Sequence, residues 1–281
     1  MPALITKLSM NPRIKFHFLC LLLIVPACGR DGFDASGDAG NDASVSAELF
    51  GQSDGASGVA LSLAVADSFF AFDPTLVPAD DAATNLTHVS DHVAEVFPGC
   101  PTPTVESGTL TLDFGDSTAC TGTNGMSITG SVSIALTKEG STLTAVTTYT
   151  NMTVNGKSLD GSLTFVTTTG SGFTVSGSVV SGDKTLTFSS LNVTGSPSSM
   201  TVTGGVAVVQ GGATTQLDFQ SVTYTTGACY PNGGSVVLTR GALEETITFS
   251  STTPSTGEVS VEVARRTSTR TLPAYGTCPH A

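Results

Sequence analysis

The sequence predicts a mainly β protein, with a curved antiparallel meander sheet and N-terminal helices packed on it. Apolar residues alternate with Thr and Ser along most of the chain after Cys100, and this period of two is typical of half-buried strands. Turn signals separate the alternating stretches, which is typical of antiparallel hairpins. Before Cys100, apolar residues recur at three- and four-residue steps, which indicates helices.

The predicted strands follow one another closely. Their alternating apolar residues are Leu110, Leu112 and Phe114; Met126, Ile128, Val132, Ile134 and Leu136; Phe173, Val175 and Val179; Met200, Val202, Val206 and Val208; Leu217 and Phe219; Ile247 and Phe249; and Val259, Val261 and Val263. The turn signals are Glu139-Gly140, Asn155-Gly156, Ser181-Gly182-Asp183, Gly211-Gly212 and Asn232-Gly233-Gly234.

Bulges or sharp bends are predicted inside several strands. Gly130, Gly177 and Gly204 fall within alternating stretches, where glycine marks such a feature. The alternation also changes phase between Phe219 and Val222, as a bulge would make it do. We therefore expect a strongly curved sheet with one polar face of Thr and Ser.

Two stretches before the strands, residues 57–72 and 79–97, have a helical pattern. In the second stretch the recurring apolar residues are Leu86, Val89, Val93 and Phe97. Pro98 and Gly99 are typical of the residues that end a helix. We expect these helices to cover the apolar face of the sheet, because their own apolar residues need burial.

The N-terminus, residues 1–27, has the features of a secretory signal peptide. A basic start with Lys7, Arg13 and Lys15 precedes an apolar run over residues 16–25. That run is shorter than the roughly 20 residues of a membrane span. A start at Met10 would also give a complete signal peptide.

Val25-Pro26-Ala27-Cys28 resembles the bacterial lipobox, with an apolar residue first, a small residue third and a cysteine fourth. The resemblance implies cleavage before Cys28, a lipid on this cysteine and anchoring to a membrane. An ordinary signal peptide with a coincidental cysteine is the alternative. By the same analogy, Gly29 in place of Asp favours the outer membrane over the inner membrane.

The chain after residue 27 divides by composition into three parts. Residues 28–46 are rich in Gly, Ala, Ser and Asp and predict a flexible acidic linker. Residues 47–99 form the helical segment, and residues 100–281 the β domain. The formal net charge of the whole chain is −12, which leaves no electrostatic footprint for nucleic acid.

Four cysteines remain after Cys20 leaves with the signal peptide and Cys28 takes the lipid. An even number in an oxidising compartment predicts two disulfides. Proximity in the sequence favours Cys100–Cys120 and Cys229–Cys278, and the other two pairings stay open. A metal site is disfavoured because no C-x-x-C spacing occurs.

A family resemblance covers the region from Cys100 to about Phe165. The residues that carry it are Cys100-Pro101-Thr102, Gly108-Thr109-Leu110-Thr111-Leu112-Asp113-Phe114-Gly115, Cys120, Gly130-Ser131-Val132-Ser133-Ile134, and Tyr149-Thr150-Asn151-Met152-Thr153-Val154-Asn155-Gly156. This region resembles a group of uncharacterised bacterial lipoproteins with extended β domains. The resemblance implies the fold and a disulfide, and it implies no activity.

Phe114-Gly115-Asp116-Ser117 matches the nucleophile block of GDS-type esterases. A serine nucleophile needs a His base oriented by a carboxylate. His88, His92 and His280 are the histidines left after processing, and Thr277 stands where the esterase C-terminal block has Asp. A turn after a strand is therefore the favoured interpretation of this block.

Three other groups of residues offer weaker hints of chemistry. His88 and His92 are one helical turn apart, as in some zinc sites, but they lie off the apolar stripe and favour a solvent-exposed pair. Asp113 and Asp116 suit a turn as well as an acid–base pair. The basic cluster of Arg265, Arg266 and Arg270 favours a solvated strand face over an anion site. No cofactor is indicated.

Three functional classes remain, and the sequence ranks them. The favoured one is a non-enzymatic envelope lipoprotein, held to the membrane by its lipid, that presents a sheet surface to glycan, cell wall or another protein. The alternative is a binding or carrier module for an apolar ligand or glycan. An enzyme ranks third, because the Ser117 block lacks its partner.

Overall fold

The computed structural model describes residues 86–87, 89–91, 93–94, 97–116, 118–121, 127–154, 157–168, 172–196, 199–225, 228 and 230–272. The strands are β1 (Thr102–Glu106), β2 (Thr109–Asp113), β3 (Cys120–Thr121), β4 (Ser127–Glu139), β5 (Thr142–Val154), β6 (Lys157–Thr168), β7 (Gly172–Ser181), β8 (Lys184–Ser196), β9 (Ser199–Gln210), β10 (Ala213–Thr225), β11 (Gly233–Arg240), β12 (Leu243–Thr248), β13 (Glu258–Val263) and β14 (Arg266–Thr271). A short helix, α1 (Thr253–Thr256), joins β12 to β13.

All strands belong to one 14-stranded antiparallel sheet. Thirteen of them follow in sequence order from β1 to β14, and β3 pairs with β4 off this path. The sheet is therefore the predicted meander. It does not close, so β1 and β14 are its two edges.

Alternation of side chains gives the sheet two distinct faces. Leu163 lies on the apolar face. The residues that pair with it across successive strands form a row on this face that runs from β1 to β14. The row is Val105, Leu110, Ile134, Thr147, Leu163, Gly177, Phe188, Val206, Leu217, Leu238, Glu245, Val263 and Arg266. Leu110, Leu163 and Val206 have no exposed surface. Burial of each such Leu or Val contributes about 1.5–3 kcal/mol to folding, and this face holds the core.

The long strands bend at shifts in register. Two of these shifts lie between Thr129 and Ser131 in β4 and between Phe219 and Val222 in β10. The second of them confirms the predicted phase change. Gly130 has a φ of 85°, and a Cβ there would overlap the backbone of Asn151 and Met152. Only glycine fits such an approach at this φ. Residues on both sides of the shifts are buried in one cluster, so the shifts keep the apolar side chains on one face.

The described part of the predicted helical segment is one helical stretch. Residues 86–87, 89–91 and 93–94 are helical, and Phe97 N donates a hydrogen bond of 2.9 Å to Val93 O. Leu86 is fully buried, and the ring of Phe97 meets Phe114 edge-on, with centroids 5.6 Å apart. The rest of the predicted helices, the linker and the signal peptide lie outside the described residues. In the part of the chain that is described, no helix is long and apolar enough to cross a membrane.

Candidate functional site

The disulfide Cys100–Cys120 is present, with Cα atoms 5.9 Å apart, and it confirms this half of the predicted pairing. It links the residues after the helical stretch to β3, which pairs with β4. Closing a loop of this length stabilises a fold by about 3 kcal/mol in the chain-entropy estimate. Cys28, Cys229 and Cys278 lie outside the described residues, so the lipid site and the second disulfide stay predictions.

The neighbours of Ser117 form a turn at the end of β2. Asp113 Oδ1 accepts a hydrogen bond of 2.8 Å from Gly115 N, and both Asp113 and Asp116 are exposed. An Asp side chain bonded to the backbone two residues on is the usual Asx turn. This geometry gives Asp113 a structural role. Ser117 itself lies outside the described residues.

The histidines predicted for catalysis or metal binding also fall outside the described residues, at 88, 92 and 280. Among the residues that are described, no group of three or more His, Cys, Asp or Glu could hold a metal ion. The esterase and zinc hypotheses thus stay predictions.

The basic cluster does not form one solvated face. Arg265 lies in the turn between β13 and β14 with a φ of 65°, and Arg266 is exposed. Arg270 pairs with Val259, so its side chain shares the apolar face, and its Nε is buried without a hydrogen-bond partner. The predicted solvated face is therefore wrong for Arg270. The sequence did not reveal this because β14 itself carries no apolar residue to mark its faces.

The face opposite the core, which we call the hydroxyl face, carries cross-strand rows made mainly of Ser and Thr. One row contains Thr104, Thr111, Ser133, Thr148, Ser162, Ser178, Thr187, Ala207, Gln216, Thr239 and Glu244. Adjacent strands place neighbours in such a row about 4.8 Å apart. The face is therefore a regular array of hydroxyl groups.

Hydroxyl groups of neighbouring strands bind each other across this face. Thr148 Oγ1 donates to Ser162 Oγ at 3.3 Å, and Thr129 and Thr153 share a hydrogen bond of 2.6 Å. Thr174 Oγ1 donates to Asn192 Oδ1 at 2.9 Å. These side chains are held in fixed positions by the strands and by one another, so the array is preorganised for contact.

The hydroxyl face is also acidic. All but one of the acidic residues of the described strands lie on it: Glu106, Asp113, Glu139, Asp160, Asp218, Glu244, Glu258 and Glu262. No Lys or Arg whose side chain is described on these strands shares that face, because Lys138, Lys184, Arg240, Arg266 and Arg270 all pair with residues of the apolar side. The face therefore repels anionic partners at short range.

Aromatic rings are absent from the hydroxyl face of the described strands. The described Phe and Tyr side chains are buried, except that of Tyr149. Tyr149 is half-buried and pairs with Gly161 on the apolar face. Stacking of a sugar ring on an aromatic side chain is thus excluded for this part of the surface. Contact has to rest on hydrogen bonds, charge and small apolar spots such as Val146 and Val180.

The exception among the acids is Glu245, which sequence reasoning missed. It lies on the apolar face between Leu238 and Val263 and is 1% exposed. Burial raises the pKa of its carboxyl to about 7, and the charge of Arg270 opposes that rise. The sequence does contain a signal for this burial. Ile247 and Phe249 alternate with a period of two, and residue 245 is the preceding position on the same face.

No protein-family model, curated protein or solved structure matches this chain.

Proposed function

We propose that the protein is a non-enzymatic lipoprotein of the bacterial envelope that presents its hydroxyl face to a partner. This proposal rests on one observation, the different chemistry of the two faces of the sheet. The apolar face holds the core, and the opposite face is an ordered, acidic array of Ser and Thr. A lipid on Cys28, followed by the acidic linker of residues 28–46, would hold this surface at a distance from the outer membrane.

The chemistry of the hydroxyl face narrows the partner. Carboxylates and hydroxyls accept hydrogen bonds, and hydroxyls and amides also donate them. A neutral or cationic glycan, cell-wall polymer or protein satisfies these groups, whereas nucleic acid and anionic lipid are repelled by the acidic residues. The Ser and Thr side chains make cross-strand bonds instead of converging on one point, which suits an extended contact.

A carrier for an apolar ligand is the second candidate, favoured by one observation. The sheet is open, and its apolar face continues to both edge strands. An apolar ligand could use that face only where no protein group fills it. Leu86 and Phe97 already occupy part of it.

The surface proposal is tested with isosteric substitutions in one row of the hydroxyl face. Thr148→Val, Thr187→Val and Thr239→Val together remove three hydroxyls and keep β-branched side chains. We expect binding of the chain to isolated cell envelopes, measured by co-sedimentation in a Cys28→Ser background that removes the lipid anchor, to weaken at least tenfold. Ser251→Ala with Ser255→Ala, two exposed positions at α1, is the matched control.

Two results would count against the proposal. Unchanged co-sedimentation of the triple Val variant, with an unchanged circular dichroism spectrum, would exclude the hydroxyl face as the contact. The anchor is tested separately with Cys28→Ser, which should move the protein from the membrane fraction to the soluble fraction. A wild-type protein without added lipid mass would contradict the lipoprotein assignment.

A further inference from the structure

Glu245 stands at the place where the last hairpin joins the sheet. Strands β13 and β14 pair with each other over six residue pairs, but β13 pairs with β12 over only four. Glu245 and Val263 form one end of that short ladder, and Thr248 and Ser260 form the other. A change in the charge of Glu245 therefore acts on the ladder that attaches the β13–β14 hairpin to β12.

Among the residues that the structure describes, the carboxyl of Glu245 has no hydrogen-bond partner. Both its oxygens are buried without one, and so is Nε of Arg270 on β14. A buried ionised carboxylate without hydrogen bonds is strongly unfavourable, whereas a neutral carboxyl is much less so. The burial of Glu245 and its lack of hydrogen bonds therefore favour the neutral carboxyl over the ionised one.

The charged groups near Glu245 come from two of the neighbouring strands. On the apolar face, β11 contributes Arg240 at its exposed end, and β14 contributes Arg266 and Arg270. Strand β13 places valines there, because its acids Glu258 and Glu262 lie on the hydroxyl face. Of these cations, Arg270 is the one whose charge lowers the pKa of the Glu245 carboxyl, against the larger opposing effect of burial.

We propose that Glu245 and Arg270 form a proton-dependent latch that holds the hairpin β13–β14 onto the sheet. Neutral Glu245 stays buried and the hairpin remains docked. Ionised Glu245 loses more from burial in the closed state than the charge of Arg270 restores, so the hairpin opens more readily and brings the carboxylate to water. Opening would uncover the edge of β12 and the apolar side chains of Ile247 and Val261.

The direction of the effect follows from proton linkage. The pKa of Glu245 is about 7 in the closed state and has a normal value near 4.5 when the hairpin is open. Between these values the open state loses its proton first, so raising the pH favours opening. The closed state is most stable below the lower pKa, and its stability reaches a plateau above the higher one.

Hydrogen exchange of the full chain tests the latch. The amides of β13 and β14 are compared at pH 5 and pH 8, after correction for intrinsic exchange rates. We expect their opening equilibrium to rise by roughly 100-fold from pH 5 to pH 8 in the wild type. Glu245→Gln should remove most of this rise, whereas Glu244→Gln, on the exposed hydroxyl face, should leave it unchanged.

A second variant distinguishes a charge effect from a structural one. Arg270→Gln removes the cation that favours ionised Glu245, so the pH midpoint of opening should move upward. The latch is refuted if Glu245→Gln keeps the wild-type pH dependence, or if Arg270→Gln leaves the midpoint in place. These exchange measurements are independent of envelope binding, so the latch can fail while the proposed function holds.

Discussion

Thr147 and Glu245 are two polar residues in one row of the apolar face. Their side-chain oxygens are buried and have no hydrogen-bond partner among the described residues. Thr147 is 3% exposed, and its Oγ1 has no hydrogen-bond partner, although its backbone carbonyl accepts from Ser162 Oγ at 3.1 Å. Glu245 has two such oxygens. The two differ in consequence, because a hydroxyl stays neutral whereas a carboxyl changes charge with pH.

Replacing Thr147 by Val should stabilise the protein. Val has the same shape and removes a buried hydroxyl that has no partner, a group that costs about 1–3 kcal/mol to bury. We expect the free energy of unfolding, measured with urea, to rise by about 1 kcal/mol. Thr148→Val, which loses the half-buried hydrogen bond to Ser162, is the control and should be neutral or slightly destabilising. A loss of stability in Thr147→Val would show that the hydroxyl has a partner in solution.

Sequence reasoning found most residues of the core but not the identity of each face. The alternating residues that the structure describes between Leu110 and Val261 are buried as predicted, and Met126 lies outside the described residues. Which acids share a face depends on the register between strands, and a single sequence does not contain that register. Glu245 was missed for a related reason: acidic residues are expected on the solvated side of a strand.

At the scale of the strands, apolar alternation decided what could be predicted. Strands β4 and β9 alternate clearly, and the bends at Gly130 and Gly204 were anticipated from glycine alone. Strand β14 reads Arg-Thr-Ser-Thr-Arg-Thr, with no apolar residue, so its pairing with β13 was not visible. The arginines that it turns toward the core side suit an edge strand, because inward charge discourages pairing with another sheet.

Gly130→Ala tests the bend in β4. Its Cβ would overlap the backbone of Asn151 and Met152, and the φ of 85° is strained for alanine. We expect a loss of at least 2 kcal/mol in the free energy of unfolding. Gly140→Ala is the control, since its φ of 59° is also positive but nothing lies within 4 Å of the new Cβ. Equal losses in both variants would mean that strain at positive φ, and not the close approach, sets the effect.

For the whole molecule, an open sheet has to keep one face from water without closing. The apolar residues of the long strands form one buried cluster, and Leu86 and Phe97 belong to that cluster too. The sequence predicted the mainly β antiparallel meander, whereas the covering of the sheet by N-terminal helices stays a prediction. The sequence could not show that the two edges stay apart, because closure depends on how the twist of all the strands adds up.

Removing residues 47–97 tests whether this segment completes the core or blocks a ligand site. Leu86 and Phe97 are buried, and Phe97 covers Phe114. If they complete the core, the truncated chain should expose apolar surface, bind a hydrophobic dye without saturation and aggregate in light scattering. The point variant Phe97→Ala should lose about 3–5 kcal/mol of stability, whereas Asp91→Ala, on the exposed side of the same helix, should lose little.

The opposite outcome of this truncation would favour the carrier function. A truncated chain that stayed monomeric and bound one lipophilic dye per molecule would show that the apolar face can hold a ligand by itself. The segment would then act as an occupant that a ligand displaces. We expect aggregation instead, because Leu86 with no exposed surface and Phe97 with 3% are packed as closely as the strand residues around them.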